Sequence, residues 1–125
     1  MKSSRYDPVE SEFIQSWDKV EQFYKNDYDS HLKFIVLRFI ASLRRAGYDR
    51  KLHAGQSMYC LVLSRSRRAG LSPKRPLVSF EFHAVVMDVF SIDETGHEEN
   101  ASGIPIALFG PVKKALEKLS TQPLS

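Results

Sequence analysis

Four histidines and one cysteine carry the most reactive side chains of this sequence, at positions far apart in the chain: His31, His53, His83, His97 and Cys60. His83 follows Glu81 by two residues in a segment that predicts a strand. Both side chains then lie on the same face of that strand and within reach of each other. Such a pair can transfer protons in acid–base catalysis. The alternative, which we prefer, is a solvent-facing polar pair on a half-buried sheet.

The acidic segment around His97 and the lone cysteine are two further candidates. His97 precedes Glu98 and Glu99, and these side chains could hold a metal ion weakly, but their spacing matches no established site. We interpret the segment as a solvated loop tip. Cys60 lies in an apolar run, where a cysteine usually acts as a small buried hydrophobic residue and not as a nucleophile.

Recurring catalytic motifs are missing from the sequence. It has no phosphate-binding loop that ends in Lys-Ser or Lys-Thr, no dinucleotide-binding glycine pattern, no Gly-x-Ser-x-Gly and no His-Glu-x-x-His. A single cysteine excludes an internal disulfide and a cysteine metal cluster. We therefore expect a protein that is not an enzyme and that needs no cofactor and no metal.

Positive charge is concentrated in the middle of the chain. The net charge is +3, yet ten basic residues and one acidic residue lie between Arg38 and Arg75, and the rest is net acidic. Such segregation favours anionic partners. Arg44 and Arg45 have a structural role there, because they fall at a predicted helix end beside its last carbonyl groups. The remaining candidates for binding an anion or a partner are Arg50, Lys51, Arg65, Arg67, Arg68, Lys74 and Arg75.

Two tyrosines flank this basic segment. Tyr48 and Tyr59 could stack on a base or a sugar, although tyrosines at the rim of a sheet are common without any ligand. The basic residues form two clusters, one after the second helix and one in the loop over 65–76. These clusters lie either together or about 20 Å apart, depending on whether the strand before Arg65 runs back along the second helix.

Apolar periodicity predicts two helices at the N-terminus. The first runs from about Pro8 to Lys25, with Asp7 as its N-cap. The second runs over about 30–46, and its many apolar residues indicate that it is the more buried of the two. Gly47 suits the position after it, because glycine adopts a positive φ without strain.

The second half of the chain predicts a small antiparallel sheet and a last helix. The expected elements are a strand over 58–64, an exposed loop over 65–76, two strands or one bent strand over 77–91, a polar loop or hairpin end over 93–103, a short edge strand over 104–108 and a helix from Gly110 to before Pro123. No alternating βαβ pattern is present. The sequence therefore predicts an α+β fold with two N-terminal helices, an antiparallel sheet of three to four strands and a C-terminal helix, in one domain over 1–125.

The apolar pattern does not suggest a membrane protein. The N-terminus is polar and acidic without the apolar core of a signal peptide. The most apolar run, Phe34 to Leu43, is interrupted by Arg38 and is too short to span a bilayer. We expect a cytoplasmic protein that has no membrane contact.

Two hypotheses of function follow from these observations. The first is a small non-catalytic accessory protein that binds another protein, for example an acidic one, or associates with itself. The second is a nucleic-acid-binding module that uses the basic residues over 44–75, with affinity that falls steeply as salt rises. The sequence contains no recognisable helix-turn-helix, zinc finger or RNA-binding motif that would support the second hypothesis directly.

Overall fold

The computed structural model describes residues 7–28, 30–67 and 76–124, and these form an α+β fold. Two helices come first, a five-stranded sheet follows, and a third helix packs on it. The elements are α1 (Pro8–Asn26), α2 (Lys33–Arg45), a short 3-10 helix (Tyr48–Arg50), β1 (His53–Ser57), β2 (Cys60–Ser64), β3 (Leu77–Phe82), β4 (Val86–Ile92), β5 (Glu98–Pro105) and α3 (Gly110–Ser120). No helix among these residues is both long and apolar enough to cross a bilayer.

The sheet is antiparallel throughout, and its strands lie side by side in sequence order. The predicted α+β class and the antiparallel pairing are therefore confirmed. The predicted number of strands, three to four, is wrong, because the described residues form five. The segment over 77–91 forms two strands that meet at His83–Val85, as the first of the two alternatives predicted.

β1 is the strand that the sequence pattern does not reveal. Its sequence, HAGQS, contains one aliphatic side chain, that of Ala54, which is buried and paired with Leu63 of β2. Strand propensity is low here, and the strand forms because it pairs with β2 and is covered by α1. The predicted strand over 58–64 is correspondingly shorter and begins at Cys60.

β5 is also longer and more polar than predicted. The expected hairpin end lies at 93–97, but the expected extents of the loop, 93–103, and of the strand, 104–108, are wrong, because the strand runs from Glu98 to Pro105. β5 pairs with β4 alone among the described strands, and most of its residues are exposed. Charged residues and proline are tolerated at such an edge, since one side of the strand faces solvent.

The sequence signals at Asp7 and Gly47 mark the start of α1 and the end of α2 correctly. The side chain of Asp7 accepts hydrogen bonds from the backbone N–H groups of Val9 and Glu10, which confirms it as the N-cap of α1. Gly47 follows α2 with a φ of +92°, a conformation that strains every residue with a Cβ atom. α2 begins three residues later than predicted, at Lys33.

The hydrophobic core lies between the three helices and one face of the sheet. The largest side chains within it that are fully buried are Trp17, Tyr24, Tyr48, Phe80, Ile40, Leu43, Leu52, Leu61, Leu63, Met87 and Leu116. Every helix contributes to this list, so the sheet is covered on that face from β1 to β4. Burial of this apolar surface is the main force that holds the elements together.

α1 also binds the outer edge of β1 through two side chains. Ser16 Oγ accepts a hydrogen bond of 2.9 Å from the backbone N–H of Ala54. Trp17 Nε1 donates a hydrogen bond of 2.8 Å to the carbonyl oxygen of Leu52. Both bonds satisfy backbone groups that β2 does not reach. α1 therefore closes an edge that would otherwise be open to pairing.

Replacing Ser16 by alanine should weaken this edge. The N–H of Ala54 is buried and would lose its acceptor, so we expect the free energy of unfolding to fall by about 1–3 kcal/mol. Ser42→Ala is a matched control, because both hydroxyls donate at 2.6 Å to the carbonyl three residues earlier in their helix. Urea unfolding of both variants measures the difference. Equal losses in the two would show that the bond to Ala54 contributes nothing.

Candidate functional site

Arg65 brings the two basic clusters together. Its guanidinium donates to the carbonyl oxygens of Lys51, at 2.7 Å, and Gln122, at 2.8 Å. β1 leads away from the 3-10 helix and β2 returns beside it, with Ser64 paired to His53. The end of β2 therefore lies next to Lys51, and the arrangement with a separation of about 20 Å is wrong.

Two further arginines are paired with carboxylates, most of them on α1. Arg67 forms two hydrogen bonds with Glu12, at 3.0 and 3.1 Å. Arg44 contacts Asp18, Glu21 and Asp49 at 3.0, 2.7 and 3.0 Å. These guanidinium groups are engaged within the chain and offer less charge to an external anion than the sequence suggests.

Three further predicted binding residues differ in their exposure: Arg50, Lys51 and Tyr48. Arg50 and Lys51 are exposed, and the ammonium of Lys51 lies 5.7 Å from the ring centre of Tyr48. The ring of Tyr48 is 1% exposed and its hydroxyl donates to Glu117. Burial and then this carboxylate raise the pKa of Tyr48. Tyr48 is a core residue and cannot stack on a ligand.

Three predicted binding residues, Arg68, Lys74 and Arg75, lie outside the described residues. Their part in the basic segment therefore stays a prediction. Among the described residues of this segment, the exposed cations are Arg38, Arg45, Arg50, Lys51 and Arg67, of which Arg67 is paired with Glu12.

Tyr59, the second predicted stacking residue, lies with Met58 in the turn between β1 and β2. The two residues link the paired positions Ser57 and Cys60, and their φ angles are +51° for Met58 and +70° for Tyr59. A two-residue hairpin loop with both φ angles positive is a type I′ turn, which strongly prefers Asn-Gly. Here two bulky residues occupy it, and their side chains are 90% and 60% exposed.

The end of α1 holds this turn in place. The hydroxyl of Tyr24 donates a hydrogen bond of 2.8 Å to the carbonyl oxygen of Tyr59. The ring of Tyr59 lies 5.9 Å from that of Phe23 and 6.1 Å from that of Tyr28. Burial is the largest cause of the raised pKa of Tyr24, so its hydroxyl stays a donor. The strained turn is thus fixed from one side, while Met58 projects freely.

Exposed hydrophobic side chains gather around this turn. Neighbouring strands alternate in direction, so the β1–β2 and β3–β4 turns lie at the same end of the sheet, and Val85 in the second turn is 72% exposed. Phe34 is 75% exposed in the first turn of α2, six residues after Tyr28, whose ring lies 6.1 Å from that of Tyr59. We call the surface formed by Phe34, Met58, Tyr59 and Val85 the apolar end.

The apolar end holds four of the five most exposed large hydrophobic side chains in the described part of the chain. The fifth is Leu124, at 43% exposure. Its neighbour Gln122 bonds to Arg65, at the opposite end of β2 from the Met58 turn. Single exposed hydrophobic residues are ordinary, whereas a contiguous apolar patch is the kind of surface that another molecule can cover.

Two grooves flank the sheet elsewhere. One of about 420 Å³ lies between β3, β4 and α3. The other, of about 510 Å³, lies between α1 and the β1–β2 hairpin and includes His53. Among the described residues, the buried Nδ1 atom of His53 has no hydrogen-bond partner. Burial and then the charge of Lys19 lower the pKa of His53, against a smaller opposite effect of Glu12.

The lowered pKa of His53 predicts a loss of stability on mild acidification. The unfolded chain takes up a proton as the pH falls through about 6.5, whereas folded His53 resists protonation. The free energy of unfolding should therefore decrease between pH 7 and pH 5. Urea unfolding across this range should show a shallower decrease for His53→Asn. Parallel curves for the wild type and the variant would contradict this assignment.

Glu81 and His83 lie together as predicted, and a third residue joins them. His83 Nε2 is 3.9 Å from Glu81 Oε1 and 3.0 Å from Asp88 Oδ2. Asp88 is missed by sequence reasoning, because only strand pairing places it opposite Glu81. The backbone N–H of Gly103 and then His83 lower the pKa of Asp88.

The two remaining sequence candidates have simpler surroundings. His97 Nε2 lies 3.5 Å from Glu99 Oε2, and both side chains are largely exposed, although Glu98 and Glu99 belong to β5 and not to a loop tip. Cys60 is half-buried, less than predicted, and burial raises the pKa of its thiol. A raised pKa disfavours the thiolate, which is the nucleophilic form.

No protein-family model, curated protein or solved structure matches this chain. The candidate site with the most specific geometry for recognising a macromolecule is the apolar end. Its two central residues combine large exposed side chains with a backbone conformation that those side chains disfavour.

Proposed function

We propose that this protein is a non-catalytic interaction protein that binds another protein through the apolar end. The observation that carries the proposal is the Met58–Tyr59 turn, in which two bulky residues adopt positive φ angles and are exposed. The basic segment, which the sequence singles out, is a second surface and lies at the other end of β2.

The strain in this turn is the reason to look for a role outside the fold. A residue with a Cβ atom in the left-handed region costs about 1–2 kcal/mol relative to the right-handed region. Asparagine and glycine would form the same turn with less strain. Met58 makes little contact within the chain, since 90% of its surface is exposed. Its side chain therefore contributes little to folding, and binding accounts for it better.

The shape of the apolar end favours a different protein over a second copy. Met58 projects from the tip of a hairpin, so this surface is convex and needs a concave apolar partner. Two convex tips that meet bury little area, whereas a specific interface buries at least about 1,000 Å². Phe34 and Val85 are exposed on the same surface and would add apolar contacts to those of the inserted Met58 side chain.

The open edge of the sheet does not suggest an alternative mode of binding. β5 has no strand on its outer side among the described residues. It carries Glu98 and Glu99 at one end and Pro105 at the other. Charges and proline at an edge oppose pairing with a strand of another chain. A partner that contacts side chains fits this molecule better than one that extends the sheet.

Nucleic-acid binding by the basic segment is the second candidate. It keeps Arg50 and Lys51 as exposed cations in the described part of the chain. Arg44, Arg65 and Arg67 bond to carboxylates or carbonyl oxygens within the chain, and Tyr48 is buried. Both observations reduce the support for nucleic-acid binding. We favour the protein partner for this reason.

Photo-crosslinking from the hairpin tip tests the proposal. A benzophenone amino acid is placed at position 58 of the full chain, which is expressed in its native cells and irradiated. The matched control carries the same group at position 124, because Leu124 is also exposed and lies away from the apolar end. We expect a discrete adduct with another protein from position 58 and none from position 124.

Each other outcome contradicts part of the proposal. An adduct between two copies of this chain would replace the partner by self-association. An adduct with nucleic acid would support the second candidate instead. The same adducts from both positions, or none from position 58, would remove the apolar end as a binding surface.

A further inference from the structure

Glu81, His83 and Asp88 place three metal-binding atoms close together on the face of the sheet away from the helices. The two carboxylate oxygens and the imidazole Nε2 all lie within 4.8 Å of one another. Glu81 belongs to β3, Asp88 to β4, and His83 to the turn that joins them. The backbone that carries them is a single paired hairpin, closed by the N–H of His83 on the carbonyl of Val86 at 2.8 Å.

The two carboxylates face each other directly across the strands. Glu81 is the register partner of Asp88, and like charges in such positions are destabilising. His83 reaches both of them, at 3.9 Å for Glu81 and 3.0 Å for Asp88. A cation bound between the three groups would turn the repulsion between the carboxylates into shared ligation.

Asp88 is oriented for this role by the neighbouring strand. The pairing of β4 and β5 shifts register between Met87 and Val89, which marks a β-bulge beside Asp88. There the backbone N–H of Gly103 donates to Asp88 Oδ1 at 2.9 Å, which leaves Oδ2 toward His83. Bulges often redirect side chains in this way, and hydrogen bonds to the second oxygen commonly position metal-binding carboxylates.

We propose that Glu81, His83 and Asp88 form a binding site for a divalent transition metal such as zinc. Zinc is bound by imidazole nitrogen and carboxylate oxygen at about 2.0–2.2 Å, and tetrahedral geometry then separates its ligand atoms by about 3.3 Å. The distance between His83 and Asp88 is already close to this value, and the exposed Glu81 side chain can approach. Three protein ligands leave a fourth position open to water.

Calorimetric titration of the full chain with zinc chloride, after treatment with a chelator, tests the site. We expect one zinc ion per chain and an affinity at least about tenfold weaker in His83→Ala and in Asp88→Asn. His97→Ala is the matched control, because His97 is an exposed histidine with one carboxylate, Glu99, at 3.5 Å. Cys60→Ser tests whether the thiol of Cys60, which lies close enough to feel the charge of Glu81, binds the ion. Both controls should bind zinc as the wild type does.

A measurement on the unchanged protein guards against variants that fail to fold. The imidazole resonances of the wild type are followed by NMR during the same titration. Those of His83 should shift until one equivalent of zinc is bound, and those of His97 should not. Absence of saturable binding, an equal loss in His97→Ala, or no response of His83 would overturn the proposal.

Discussion

Replacing Trp17 by alanine is expected to lower the free energy of unfolding by about 3–5 kcal/mol, the range for truncating a large buried aromatic side chain. Trp17 is fully buried at the centre of the core. Its indole N–H also supplies the hydrogen bond to Leu52, just before β1. The variant therefore loses both packing and the donor that fixes the start of the sheet. Unfolding must be measured by circular dichroism and not by tryptophan fluorescence, because Trp17 is the only tryptophan.

Trp17→Phe separates the two contributions. Phenylalanine keeps most of the apolar contact but leaves the carbonyl of Leu52 without this donor, which should cost about 1–3 kcal/mol. A Trp17→Phe protein as stable as the wild type would show that the bond to Leu52 contributes nothing. A small effect of Trp17→Ala would contradict the position of α1 on the sheet.

Converting the Met58–Tyr59 turn to Asn-Gly is expected to weaken partner binding strongly while the fold keeps its stability. The double variant, Met58→Asn with Tyr59→Gly, forms the type I′ turn with its preferred residues. Relief of backbone strain offsets the lost contacts of the Tyr59 ring, which are worth about 0.5–1.5 kcal/mol for each aromatic pair. The carbonyl of residue 59 remains as the acceptor for Tyr24. We expect affinity for the partner to fall at least about 100-fold, because two exposed anchors are removed.

Urea unfolding and binding must be measured on the same preparation of this double variant. Leu124→Asn serves as the control, since it removes an exposed hydrophobic side chain outside the apolar end. The control should bind as the wild type does. A double variant that binds normally would show that the turn has no part in recognition. A marked loss of stability would show that the two side chains serve the fold.

The helices could be predicted from the sequence because their signals are local. The cap at Asp7, the periodic apolar residues of α1 and α2, and Gly47 each act within one or two turns of a helix. The two strands that meet at His83 also show a local alternation. These features need no knowledge of distant contacts.

β1 and β5 could not be predicted, because long-range contacts determine them. β1 has little strand propensity and depends on α1 and β2, including the bond from Ser16 to Ala54. β5 is polar and pairs with β4 at the edge of the sheet. Because β1 could not be predicted, the contact between Arg65 and Lys51 could not be predicted either.

Only the local features of the candidate sites could be predicted from the sequence. The spacing of Glu81 and His83 indicated their proximity, but Asp88 required the register between β3 and β4. The sequence predicts that Met58 belongs to a strand, because an apolar residue is unusual in a turn that normally contains Asn-Gly. Its positive φ and its 90% exposure are properties of the folded backbone.

The dissociation constant of the complex with the protein crosslinked at position 58 tests the central claim most directly. It should be measured for the wild type, Met58→Asn and Leu124→Asn. Burying a methionine side chain is worth about 1.5–3 kcal/mol, so Met58→Asn should bind about 10- to 100-fold more weakly. Leu124→Asn should leave the constant unchanged. Equal affinity of Met58→Asn and the wild type would contradict the claim that the apolar end binds the partner.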